Sequence, residues 1–164
     1  MPIITILPKP VRVSSDRTAW TVRNYFGRKS SIGTPLPVPI SSLRGRFEKL
    51  FFDRVEALSP EGLLQPHPLN QAATEEEIIE ILGGRMKVVV TLRDVYSSLR
   101  VAERGAMDLV SKRYLFFVEN DDDSLSLIDA FFFRTGWNID VNPISHSRKW
   151  GAGCIVVSRV SPEH

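Results

Sequence analysis

Cysteine is almost absent from this chain. The single thiol, Cys154, leaves no partner for an intramolecular disulfide and no multi-thiolate zinc site, which favours a reducing intracellular setting or a virion. No apolar run approaches the ~20 residues that a membrane-spanning helix needs, and Pro8, Lys9 and Pro10 interrupt MPIITIL before it resembles a signal-peptide core. No internal repeat is visible. With 43% hydrophobic and 24% charged residues among 164, the composition is that of one soluble globular domain, or of one domain with an arm.

The net charge of +2 conceals an asymmetry. Residues 1–60 hold ten Lys/Arg against four Asp/Glu, and residues 61–164 hold eleven against fifteen, so the two parts carry +6 and −4. Seven of the eleven prolines also fall in the first sixty residues. Residues 1–40 therefore read as an extended, basic, Pro-rich arm, followed by one α/β domain over 41–164. In the arm, Arg17, Arg23, Arg28 and Lys29 interleave with Trp20, Tyr25 and Phe26, a mix that can neutralise phosphates and stack on bases, or pack on the domain and face solvent.

Hydrophobic periodicity then sets out a series of expected elements. Leu43, Phe47, Leu50, Phe51, Val55 and Leu58 predict a helix over 41–58, with Arg44, Arg46, Lys49 and Arg54 elsewhere on its surface. Pro60, Pro66 and Pro68 predict a loop over 59–73 in which His67 is exposed. Thr74 and Glu77 form a capping-box pattern at the start of a short helix that Gly83 and Gly84 stop. MKVVVTL, residues 86–92, reads as a buried strand, and Asp94 opens a helix with Val95, Leu99, Ala102, Ala106 and Leu109 on one face.

Tyr114 to Val118 is a second buried strand. After the acidic Glu119 to Asp123, Leu125, Ile128, Phe131 and Phe132 suggest a helix that Gly136 ends. Trp137, Ile139 and Val141 alternate with Asn138, Asp140 and Asn142, so the next strand is buried on one face, and 154–160 supplies the last strand. Alternating helices and strands imply a three-layer-like α/β fold with a parallel or mostly parallel sheet and flanking helices.

In such a sheet ligands bind beyond the carboxyl ends of the strands. Asp94, Asp121 and Asp123 each follow an apolar strand there, and clustered hard oxygen ligands suit Mg²⁺ or Mn²⁺ and metal-assisted phosphodiester cleavage. Aspartates at such positions also cap helices. The loop SHSRKW offers Arg148, Lys149 and Trp150 to a phosphate backbone or to a partner protein.

The segment YLFFVENDDDSLSLIDAFFFRTGWNIDVNP resembles NYN-type, PIN-like ribonuclease domains, in which a strand runs into a D-x-D turn, a helix ending in Gly, and another strand. Over residues 85–160 the resemblance implies a Mg- or Mn-dependent ribonuclease with Asp94, Asp121 and Asp123 as metal ligands and catalytic acids. Val88 stands where those domains carry a further acid, and IITIL is followed by none, which points toward a degenerate site. Two functions follow: a PIN-like domain acting on RNA or single-stranded nucleic acid, or a non-enzymatic interaction or assembly protein. The second would be a viral structural protein, a homo-oligomer or a subunit of a larger complex, docking through its basic arm.

Overall fold

The computed structural model describes residues 3–4, 11–13, 20–27, 38–56, 62–103 and 112–160. In chain order the elements are β1 (Val11–Val13), β2 (Trp20–Thr21), α1 (Val22–Phe26), β3 (Ile40–Leu43), α2 (Phe47–Phe51), β4 (Val55–Glu56), β5 (Gly62–Pro68) and β6 (Ala73–Thr74). There follow α3 (Glu75–Ile81), α4 (Arg85–Val88), α5 (Leu92–Glu103), β7 (Arg113–Glu119), β8 (Leu125–Phe133), β9 (Gly136–Pro143), β10 (Lys149–Trp150) and β11 (Ile155–Val160).

A seven-stranded sheet in the order β1-β5-β11-β7-β8-β9-β3 organises the chain. Only β11 with β7 and β9 with β3 pair in parallel, and the other four pairings are antiparallel, so the mostly parallel α/β sheet expected from the sequence is not what forms. The decisive difference lies at 125–133, where the expected helix is a strand. There β7, β8 and β9 form an antiparallel meander in full register from Arg113↔Phe131 to Ser126↔Pro143. The helical spacing of Leu125, Ile128, Phe131 and Phe132 misleads because β8 is covered on both faces. Ile128 and Ala130 enter one core and Leu127 the other, which erases the alternation that marks a half-exposed strand.

Residues 86–92 differ for a related reason. Gly83 and Gly84 both adopt positive φ and turn the chain into α4, and β7 has little edge to offer. β8 pairs along β7 from Arg113 to Glu119, and β11 takes the other edge at Tyr114 and Leu115. Val89 makes a single parallel bridge to Phe117. The expected helix over 41–58 likewise divides into β3, α2 and β4, with Phe47 and Phe51 fully buried.

The sheet separates two cores. On one face Trp20, Val22, Phe26, Phe47, Phe51, Val95 and Leu99 pack against Tyr114, Phe116, Ile128, Trp137 and Val157. On the other, Ile78 and Val88 cover Leu115, Phe117, Leu127 and Val156. Within the expected 1–40 arm, Val11–Val13 pair with β5, and Trp20, Val22 and Phe26 are core residues. Ala106 and Leu109 lie outside the described residues.

β9 and the edge strand β3 approach closely at Gly136. A Cβ there would fall 2.2 Å from Ser41 Oγ, 3.0 Å from the Ser41 nitrogen and 3.2 Å from the Pro39 oxygen. Gly136→Ala is expected to push β3 outward and lower stability by about 1–3 kcal/mol. Denaturant unfolding read by tryptophan fluorescence checks this, since Trp137 is fully buried next door.

Candidate functional site

The acidic run Asp121–Asp123 sits in the β7–β8 hairpin turn. The Asn120 amide donates to the Ser124 carbonyl at 2.8 Å and the Asp123 amide to the Asn120 carbonyl at 3.1 Å, while Asp123 takes φ +66°. Asn and Asp suit such a turn because they tolerate the left-handed region and bond to nearby backbone. Asp122 accepts from the Ser124 amide at 3.0 Å and from its hydroxyl, and those bonds, the hydroxyl's first, hold its carboxyl below the ordinary aspartate range.

Two arginines grip the turn. Arg54 donates to the Glu119 carbonyl at 2.8 Å and to Asp121 at 3.1 Å, with its guanidinium 4.9 Å from the Phe51 ring centroid. Arg85 bonds the Glu119 carboxylate at 3.0 Å and also the Asp123 carbonyl.

Asp94 lies at the first turn of α5. It accepts from the Thr91 amide at 3.0 Å while its own amide donates to Thr91 Oγ1 at 3.0 Å, a reciprocal capping box, and Arg159 reaches it at 3.3 Å. Glu56 from β4 completes that terminus by accepting from the Leu92 and Arg93 amides at 2.9 and 2.8 Å. Burial pushes the Glu56 carboxyl up, and those two amides oppose the shift. Asp94 is fully buried, whereas Asp121 and Asp123 are exposed on the hairpin. Each carboxylate oxygen of Asp94 already has a partner from the fold, and Asp121 has Arg54. Among the described residues no group of three or more His, Cys, Asp or Glu is placed to hold one.

Several of the residues considered for nucleic-acid contact have partners within the fold. Trp20 is buried and stacks on Tyr25 at 4.3 Å between centroids. Arg23 pairs with Asp53 at 2.7 Å. Arg148 clamps the fully buried Glu75, and Trp150 Nε1 donates to the same carboxylate at 3.2 Å. Lys149 is exposed on β10. Arg17, Arg28 and Lys29 lie outside the described residues.

A groove of about 970 Å³ runs beside the turn. Leu50, Leu125, Val141, Pro143 and Ile144 supply its aliphatic floor, with Arg46 at the start of α2 and Lys49 within it forming the α2 wall, and Asp121 and Asp122, beside Arg85, the turn wall. Arg46 and Lys49 are exposed and make no ion pair among the described residues. The sequence singled out these two cations as part of a basic helical face, but the floor combines α2 with β8 and the end of β9, segments far apart along the chain.

A buried histidine was not foreseen. Pro66 and Pro68 pair with β11 alone, beyond the end of β1, so the amides they lack are not required there and a Pro-containing strand forms where a loop was expected. His67 is consequently only 7% exposed, with Nε2 2.8 Å from Ser158 Oγ and Nδ1 buried without a partner among the described residues. Burial lowers its pKa to about 4.

No family model matches the chain, and no curated protein or solved structure matches it.

Proposed function

We propose that the protein is a non-enzymatic interaction domain, which receives a segment of a partner protein in the groove between α2, the β7–β8 turn and the end of β9. The observation that carries this reading is the lining: an aliphatic floor beside exposed, unpaired cations, a combination suited to apolar side chains with a few oriented polar contacts. Two of the acids support it indirectly, because Asp94 caps α5 and Asp121 pairs with Arg54. Among the described residues no helix is long and apolar enough to cross a membrane. In this reading the protein works in a reducing, intracellular setting, in keeping with its single cysteine.

Thermal melts test the reading against metal-dependent ribonuclease activity. A ligand that binds only the native state raises the melting temperature by mass action. Excess Mn²⁺ is expected to leave the wild-type melt unmoved, and Asp123→Gly to hold or raise stability by up to about 1 kcal/mol, since glycine relieves the left-handed backbone. A Mn²⁺-dependent rise that disappears in Asp121→Asn would overturn the proposal in favour of the nuclease.

A further inference from the structure

Resting on the interaction reading, we infer that the groove selects a protein segment carrying carboxylates beside apolar side chains, with the carboxylates laid along α2. The charge on the two walls decides the class. Across the groove, Asp121 is already paired with Arg54, and Arg85 with Glu119. What remains unmatched at the mouth is positive on the α2 wall, Arg46 and Lys49, and negative on the turn wall, Asp122. A segment with acidic groups on one side therefore has one favourable seating, against α2 and away from the turn. A basic segment would be driven toward the turn, where the exposed Asp122 offers a single carboxylate.

The floor argues for protein rather than nucleic acid. Among the described residues no aromatic ring lines the groove, so these give bases no stacking platform, while Leu50, Leu125 and Ile144 are partly exposed and lose water only when apolar groups cover them. Of the arm's aromatic side chains, Trp20 and Phe26 are core residues and the partly buried Tyr25 packs against that core. The turn itself fixes the geometry of the site. Held by both Arg54 and Arg85, it presents the Asp122 carboxylate as a charge that an incoming acid must avoid.

The probe is a synthetic amphipathic peptide with Glu and Leu at helical spacing, compared with versions in which Gln or Lys replaces every Glu. Binding to the full chain is followed by fluorescence anisotropy, and amide chemical shifts locate the site. The Glu peptide is expected to bind about tenfold more tightly than the Gln peptide, with the advantage shrinking as salt rises from about 50 to 500 mM. Arg46→Glu with Lys49→Glu should reverse the preference toward the Lys peptide, and because both side chains are exposed the variant is expected to fold. Asp122→Asn should tighten the Glu peptide slightly.

Equal binding of the Glu and Gln peptides at the groove would overturn the carboxylate preference and leave the interaction reading standing. If no peptide shifts groove amides and a single-stranded RNA oligonucleotide does, with steep salt dependence, both fall.

Discussion

Between pH 6.5 and pH 4 the protein is expected to lose about 3 kcal/mol of stability through His67 alone. The folded pKa is about 4 because burial disfavours the imidazolium, and the unfolded value is near 6.5. The unfolded chain therefore takes up the proton first as pH falls. The contribution is fully present above about pH 6.5, declines as acid is added, and levels off below the folded pKa. Each pKa unit corresponds to ~1.4 kcal/mol. His67→Gln removes the titration while its amide can still donate to Ser158, so the difference between the two proteins across a denaturant series at several pH values isolates the effect. Parallel stability curves for wild type and His67→Gln from pH 7 to pH 4 would show that the imidazole is not buried as described. Comparison by difference matters because burial raises the carboxyls of Glu56 and Asp129, whose contributions move with pH in the opposite sense.

Asp94→Ala is expected to cost about 2–4 kcal/mol, the loss of one arm of a capping box together with a buried charge partner for Arg159. Arg159 retains 19% side-chain exposure, which lets water take up part of its charge and keeps the figure below that for a fully enclosed pair. Asp94→Asn preserves an acceptor for the Thr91 amide and is expected to recover a good part of the loss. A double-mutant cycle with Arg159→Met separates the ion pair from the cap. Were Asp94→Ala to leave stability unchanged, the structural role assigned to this carboxylate would be wrong.

Strands with a single strong signature were legible in the sequence. Tyr114 to Val118 is an unbroken apolar run and is buried on both faces, while Trp137, Ile139 and Val141 alternate with polar residues and form a strand with one covered face. The Thr74–Glu77 capping box forms in both directions, at 3.2 and 2.8 Å, and Val95, Leu99 and Ala102 line the buried side of α5. Cys154 packs as a small apolar group beside the second core, and burial raises its thiol pKa.

What was not legible depended on pairing between distant segments. Whether 125–133 becomes helix or strand turns on β7 offering an edge, and whether 62–68 is loop or strand turns on β11 arriving beside it. Local propensity is silent on both. For the candidate site, the aspartates were visible but their employment was not. The turn chemistry of N-D-D-D-S is as much a hairpin signal as an acidic cluster, and only the partners Arg54, Arg85 and Ser124 distinguish the two. The half-buried Glu56 and the buried Glu75 and His67 gave no signal in a single sequence, since each is charged or polar and owes its burial to a segment far away along the chain.

The position of β11 has a consequence for how the molecule is made. It is inserted between β5 and β7, so the strand that follows all the others of this sheet in the chain is the one that joins the early strands to the central meander. The contact between His67 and Ser158 spans 91 positions, and β3 likewise waits for β9. A nascent chain that has completed β7, β8 and β9 still carries β5 as an unpaired edge and leaves Leu64 uncovered on the side β11 will occupy. High contact order of this kind slows closure and lengthens the interval in which such an edge is open to other chains. Chaperone shielding during synthesis is therefore expected to raise the yield of correctly closed sheet.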